Sequence, residues 1–208
     1  MKGTTHALIG TTTGLMTASI YQTDLSSMSL LVAIGTVSGL IPDLDIDGKL
    51  SNRITFSKKF LQIVSQSIAI FIIAYSLFTG IGMEKWIGVG AGITIIIISS
   101  LIRQRRMLTI TGIGVLVGGQ SLEENWIWLL GIYIIIASFV SHRSYTHSIL
   151  GIIFFGVIAS SLEKSLVLDG VFVTCILGYI SHLIADMKVF PVNKRGIKLF
   201  LPFSRKQF

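Results

Sequence analysis

Residues 126–162 decide the fold, because two apolar runs there are separated by a short polar stretch. The runs are WIWLLGIYIIIASFV at 126–140 and ILGIIFFGVIASSL at 149–162, and SHRSYTHS lies between them at 141–148. Each run approaches the ~20 apolar residues that a helix needs to cross a bilayer. The pattern therefore predicts two transmembrane helices joined by a turn that carries two histidines and an arginine.

The rest of the chain repeats this apolar pattern. Of its 208 residues, 51% are hydrophobic and 13% are charged, which is typical of a membrane protein and not of a soluble domain. Candidate membrane-crossing helices occupy residues 5–22, 27–42, 62–82, 85–102, 107–121, 126–141, 147–162 and 168–186. We predict an all-α, polytopic membrane helix bundle of about eight transmembrane helices. Residues 1–186 would form the integral membrane domain, and residues 187–208 a basic amphipathic cytoplasmic tail.

The basic residues indicate the orientation of this bundle. With eight crossings, only Lys85 and Lys164 of the 17 lysines and arginines lie on the side opposite to the termini. Because cytoplasmic loops are enriched in lysine and arginine, both termini are predicted to be cytoplasmic. This bias and attraction to anionic lipid headgroups account for the net charge of +7, so no nucleic-acid partner is expected.

Histidines and acidic residues collect at the cytoplasmic ends of the predicted helices. All four histidines and four of the ten acidic residues share this face: His6, Asp43, Asp45, Asp47, His142, His147, His182 and Asp186. Ionisable groups at membrane depth are costly and usually mark a functional site. His182 and Asp186 are four residues apart, so they share one helix face and could bind one metal ion together. A proton relay or a plain hydrogen bond is the alternative.

Glycines stand at steps of four from these proposed ligands. They are Gly10, Gly14, Gly35, Gly39, Gly151 and Gly178. Small residues at this spacing mark the places where membrane helices approach closely. We therefore expect the ligands to lie at the ends of packed helix faces.

The stretch DLDIDG at 43–48 imitates a calcium-binding loop. It matches the opening of an EF-hand, but the twelfth position, which should be glutamate, is Ile54. We expect instead that Pro42 ends the second span and presents Asp43 and Asp45 at its cytoplasmic mouth. Asp47 is expected to point away or to cap the following turn.

The number of candidate donors predicts metal chemistry. Four imidazoles with two or three carboxylates exceed the needs of one tetrahedral ion, which favours two ions, or one ion with a general base beside it. A mixed histidine and aspartate set suits zinc, manganese or iron better than calcium, and zinc or manganese is the preferred cofactor. The planar guanidinium of Arg143 could bind a phosphate, or it could anchor the interface. Arg143 and Asp45 are the candidate catalytic residues.

Five motifs carry a resemblance that covers the full length of the chain. TTHALIG at 4–10, GLIPDLD at 39–45, SHRSYTHS at 141–148, GYISHLIAD at 178–186 and GIKLFLPFS at 196–204 resemble the YdjM-like family of bacterial inner-membrane proteins, described as metal-dependent hydrolases. The resemblance implies a multi-pass bacterial inner-membrane enzyme. It also implies metal ligands at His6, Asp43, Asp45, His142, His147, His182 and Asp186. A weaker likeness to zinc-dependent phospholipase C rests on the early histidine and the late HxxxD, but the amino-terminal tryptophan and later HxxxE of that group are missing.

Two functional hypotheses follow. The first is a metal-dependent hydrolase, a phosphoesterase that acts on a membrane lipid or lipid-linked phosphate at the cytoplasmic face. The alternative is a non-enzymatic membrane regulator or adaptor, in which a structural metal clamps the helices and the basic segments 49–59 and 188–206 bind a partner. A transporter ranks third, because no charged residue lies deep in the third to sixth spans.

Overall fold

The computed structural model describes residues 3–44, 58–79, 81–101, 104–141, 143–188 and 196–208. Across these residues the chain is all-α, with eight α-helices and no strand. The helices are α1 (Gly3–Ile20), α2 (Leu25–Ser38), α3 (Lys58–Thr79), α4 (Met83–Leu101), α5 (Gln104–Ser121), α6 (Asn125–Ala137), α7 (Ile149–Leu166) and α8 (Val171–Asp186). Short 3-10 turns cover Ile41–Leu44 and Tyr145–His147. Each α-helix overlaps one of the eight stretches predicted from the sequence.

Among the described helices, α4 and α7 are long and apolar enough to cross a membrane. The helices α2, α6 and α8 and residues Gln62–Phe78 of α3 are apolar but shorter. At 1.5 Å per residue, the 14 residues of α2 extend about 21 Å, which is less than the ~30 Å hydrocarbon core. Eight complete crossings therefore stay a prediction.

By contacts, the chain forms two compact units. The first comprises Met1–Ile54 and Leu108–Phe208, and the second comprises Thr55–Met107. In the second unit, α3 packs against α4. The Gln66 side-chain amide there donates a hydrogen bond to the Ser100 hydroxyl at 3.3 Å.

The helices α1, α2 and α8 meet along their glycines in the first unit. A Cβ atom added at Gly14 would lie 2.7 Å from the Val32 Cα, and one at Gly178 would lie 3.1 Å from the Gly35 carbonyl oxygen. Side chains at these positions would hold the helices apart. The close approach predicted from the glycine spacing is therefore confirmed.

At the N-terminal end of α2, Asp24 caps the first turn. Its carboxylate accepts hydrogen bonds from the Ser26 hydroxyl and from the backbone amides of Ser26 and Ser27. These bonds, above all those of Ser26, lower the pKa of Asp24 to about 2. The cap satisfies amide groups that the first helical turn leaves without partners.

The described part of the predicted tail, residues 196–208, packs into the first unit. Ile197 is fully buried in the same core as Tyr179 and Phe155. Ile197 and Phe208 exchange two backbone hydrogen bonds of 3.1 and 3.0 Å, and the Ile149 amide donates to the Leu199 carbonyl at 3.0 Å. This segment therefore supports the start of α7, directly after the 3-10 turn that contains His147.

Candidate metal centre

Five of the seven predicted metal ligands lie within the described residues, and the structure brings them together. They are His6 on α1, Asp43 in the turn after α2, His147 in the turn before α7, and His182 and Asp186 on α8. All are buried except Asp43, whose side chain is 16% exposed. Asp45 and His142 fall outside the described residues, so their predicted roles stay predictions.

The turn after α2 presents Asp43 as the sequence suggests. The helix ends at Ser38, and the chain then forms the 3-10 turn that contains Pro42. Proline has no amide hydrogen and disfavours a helical residue before it, so α2 does not continue through this point. The Asp43 amide donates to the Leu40 carbonyl at 3.1 Å, which fixes the turn.

The polar stretch 141–148 differs from the prediction in its boundaries. The sequence predicts spans that reach residue 141 and restart at residue 147, whereas α6 ends at Ala137 and α7 begins at Ile149. After Ala137 the backbone bonds change to the i−3 spacing that closes a helix, since the Phe139 amide donates to the Ile136 carbonyl at 3.0 Å and the Val140 amide to the Ala137 carbonyl at 3.4 Å. His147 consequently lies in the 3-10 turn before α7 and not in the helix itself.

Four side chains point donor atoms at one common centre. One ligand atom from each of Asp43, His147, His182 and Asp186 lies within 4.8 Å of the other three. The two histidine Nε2 atoms are 3.2 Å apart, and the Asp43 Oδ1 is 3.7 and 3.6 Å from them. The Asp186 Oδ2 is 3.9 Å from each. Bonds of ~2.1 Å in a tetrahedral site separate ligand atoms by about 3.4 Å, so the cluster has the size of a site for one ion.

The backbone fixes which nitrogen of His182 faces this centre. The His182 Nδ1 lies 2.8 Å from the Gly39 carbonyl oxygen, which can only accept a hydrogen bond. The Nδ1 therefore carries the hydrogen, and neutral His182 has its lone pair on Nε2. Metal-binding histidines are typically oriented by such a bond from their other nitrogen.

The two facing imidazoles are compatible with two protonation patterns. The His147 Nδ1 lies 3.1 Å from the Thr146 hydroxyl, which can donate or accept. When the Thr146 hydroxyl donates to the His147 Nδ1, the His147 Nε2 carries the ring hydrogen and can donate it to the His182 Nε2. When the Thr146 hydroxyl accepts from the His147 Nδ1, the Nε2 lone pairs of His147 and His182 face each other at 3.2 Å. A cation between them would remove their repulsion. The same geometry therefore serves a plain hydrogen bond in one tautomer and metal binding in the other.

Asp186 is held from two further sides. Its Oδ1 lies 3.3 Å from the His6 Nε2, and its Oδ2 lies 3.1 Å from the Arg143 Nη2. The His6 ring also stacks on the His182 ring with centroids 3.8 Å apart. His6 thus contacts Asp186 and His182 but is not one of the four converging donors. Its role as a metal ligand stays a prediction.

Arg143 has a strained backbone at the edge of the centre. Its φ of 59° lies in the left-handed region, which costs a non-glycine residue roughly 1–2 kcal/mol. Strain of this kind is concentrated at functional sites. Its side chain is 22% exposed, so the guanidinium contacts Asp186 and also reaches the surface.

Tyrosines support the histidine turn, and the sequence reasoning missed them. The Tyr179 hydroxyl donates to the Thr146 carbonyl and lies 3.1 Å from the Tyr133 hydroxyl. Tyr179 precedes His182 by three residues and therefore lies on the same face of α8. The three-residue spacing of Tyr179 and His182 within GYISHLIAD is the sequence signal from which the role of Tyr179 could have been predicted.

The donor set fits a divalent metal. Two imidazoles and two carboxylates suit zinc, manganese or iron, whereas calcium takes six to eight oxygen ligands. The structure places His182 and Asp186, the pair predicted from its spacing, in this cluster, and their role as metal ligands stays a prediction.

Comparison with known proteins gives one match, to a family model. The model described as YdjM inner membrane protein matches residues 1–208. No match was found among curated proteins or among solved structures.

Proposed function

The chain belongs to the YdjM family of inner membrane proteins, and from this premise we propose that it is a membrane-bound, metal-dependent hydrolase. We propose further that it is a phosphoesterase acting on a lipid or lipid-linked phosphate at the cytoplasmic face. The observation that carries this proposal is the convergence of Asp43, His147, His182 and Asp186 on one centre, with the His182 Nε2 lone pair directed at it.

The residues of the centre have separable tasks in such a reaction. A divalent cation bound there would polarise a phosphoryl oxygen. It would also lower the pKa of a bound water, so that the water could lose a proton and act as the nucleophile near neutral pH. His6 holds the second oxygen of Asp186 and so orients its carboxylate. Arg143 has five N–H donors in a planar fork, which can bind phosphate oxygens while one of them contacts Asp186. Asp43 is the most exposed of the four donors and marks the side on which water and substrate approach.

Metal content and turnover test this proposal together. We expect purified protein in detergent to contain a divalent metal and to hydrolyse phosphodiester or phospholipid substrates. Removing one donor with His182→Ala or Asp43→Ala should abolish both properties. Asp169→Ala is the matched control for Asp43→Ala, because Asp169 is an exposed aspartate outside the centre. Wild-type protein without metal, or unchanged turnover in His182→Ala, would contradict the proposal.

A structural metal in a regulator or adaptor is the second candidate. Its support is that four protein donors can fill a tetrahedral ion completely, and closed sites of this kind are structural. In that case, removing the metal lowers the melting temperature, but no phosphoester substrate is turned over. Measuring both quantities on the same preparation separates the two candidates.

A further inference from the structure

An apolar groove lies beside the metal centre in the first unit. It has a volume of about 350 Å³ and is lined by residues of α2, α6, α7 and α8 and by Ile41. Its α2 wall includes Leu30, Ala33, Ile34 and Val37, and Phe155 contributes from α7. No charged residue lines it, and its lining is almost entirely aliphatic or aromatic.

The groove runs along α2 towards the metal centre. The lining positions from Leu30 to Ile41 recur at steps of three or four, so they form one face about 16 Å long at 1.5 Å per residue. Ser38 also lines the groove and directly precedes Gly39, whose carbonyl orients His182. Ile41 belongs to the same 3-10 turn as Asp43. One end of the groove therefore adjoins the donors, and its length is about half of a ~30 Å hydrocarbon core.

The groove is apolar and the adjoining metal centre carries charged groups, and this distribution complements an anionic amphiphile. The groove itself offers only apolar contacts, whereas the adjoining centre offers the partly exposed guanidinium of Arg143 and donors for a divalent cation. An anionic headgroup complements the second part, and a hydrocarbon chain complements the first. A water-soluble phosphoester would leave the groove without an occupant.

The volume argues against a protein helix as the occupant. A helix with side chains is at least ~10 Å wide, so no more than a ridge of its side chains could enter the groove. The groove has about 350 Å³, which suits a narrow, flexible chain.

We propose that this groove binds one acyl chain of an anionic phospholipid whose phosphate lies at the metal centre. The inference rests on the proposed function and names its substrate class, an acyl-chain phospholipid. A chain in the bilayer is already out of water, so its preference for the groove would come from close packing against the apolar lining and not from the hydrophobic effect.

Photo-crosslinking tests occupancy without requiring turnover. The full-length protein would be placed in vesicles that contain phosphatidylglycerol with a diazirine midway along one acyl chain, and adducts would be mapped by mass spectrometry. We expect adducts on groove residues. Ala33→Phe should remove most of these adducts, because the ring occupies space in the groove that the chain would fill. Ala33 is exposed, so the larger side chain need not disturb the core, and Ala33→Leu provides a milder second variant.

Ala91→Phe is the matched control, since Ala91 is an exposed alanine on α4 in the second unit. It should leave the groove adducts unchanged. The absence of adducts on groove residues, equal yields at the groove in Ala33→Phe and wild type, or protein–protein crosslinks at the groove would each overturn the inference.

An activity arm separates this inference from the proposed function. In Ala33→Phe, most of the kcat/KM for a long-chain phospholipid should be lost, while kcat/KM for a water-soluble phosphodiester stays unchanged. Equal losses for both substrates would overturn the acyl-chain assignment. Wild-type protein without turnover on either substrate would overturn the proposed function and the substrate assignment, while the adduct map would still decide whether the groove holds a chain.

Discussion

Replacing Gly39 with alanine should weaken metal binding, although Gly39 contributes no side chain. A Cβ atom at this position would lie 2.7 Å from the His6 carbonyl oxygen and 3.2 Å from the Gly10 Cα. Carbon and oxygen atoms normally approach to about 3.3–3.6 Å, so the end of α2 must move away from α1 by about 0.6 Å or more. The Gly39 carbonyl accepts the 2.8 Å hydrogen bond from the His182 Nδ1. If the shift of about 0.6 Å is directed along this hydrogen bond, the distance from the His182 Nδ1 to the Gly39 carbonyl oxygen grows to about 3.4 Å, which exceeds the normal donor–acceptor distance.

Two effects of known size follow. Loss of the bond that orients a ligating histidine typically lowers metal affinity about 10- to 100-fold. Overpacking costs about 1–3 kcal/mol of stability, and because the φ of −66° at Gly39 also suits alanine, the loss of glycine's freedom in the unfolded chain returns about 0.4–1 kcal/mol of this. We therefore expect Gly39→Ala to fold with a moderately lower melting temperature and to bind metal at least tenfold more weakly.

Competition with a chromophoric chelator measures the affinity, and thermal unfolding in detergent measures the stability. Gly114→Ala is the matched control, because a Cβ atom at Gly114 meets nothing within 4 Å. It should keep wild-type metal affinity and equal or higher stability. If Gly39→Ala binds metal as tightly as wild type despite a lower melting temperature, the proposed coupling between helix packing and the metal centre is refuted.

Two further predictions concern Arg143 and the metal itself. Arg143→Lys keeps the positive charge but loses the planar fork, so metal content should stay at the wild-type level while kcat/KM for phosphoesters falls about tenfold or more. Equal kcat/KM in the two proteins would remove Arg143 from the phosphate site. Chelation should lower the melting temperature of the wild type, since an ion at 100 times its Kd stabilises the fold by about 2.7 kcal/mol, and added zinc or manganese should restore it. Asp43→Ala, which lacks one donor, should show no response to the chelator, and a full response there would exclude Asp43 as a ligand.

Features that repeat at the helical period could be predicted from the sequence. His182 and Asp186 are one turn apart on α8, and the structure places both in the candidate metal centre. Pro42 correctly predicted an end of the helix before Asp43. The steps of four between glycines predicted which helix faces meet. For the His182 and Asp186 pair and for the glycines the sequence spacing itself determines the shared face, and for Pro42 the missing amide hydrogen determines the end of the helix.

Other features depend on backbone groups or on three-dimensional orientation and had no such signal. Every residue carries a carbonyl, so nothing in the sequence singles out that of Gly39 as the acceptor for His182. The contact between His6 and Asp186 depends on how α1 is rotated against α8. The end of α6 at Ala137 lies where the backbone bonds change to the i−3 spacing at Phe139 and Val140. Apolar periodicity alone extends that helix too far.

The metal centre and the packing of α1 on α2 share the same residues, and this explains why they should respond together. Gly39 lies close to the backbone of α1 at His6, while its carbonyl orients His182 on α8. His6 in turn contacts both Asp186 and His182. A change in the spacing of α1 and α2 therefore reaches two of the four donors without touching either of them directly. Because bound metal orders the same donors, it should also hold α2 against α1 and α8. A metal ion bound at the candidate centre would thus stabilise the helix packing, and the helix packing would stabilise metal binding.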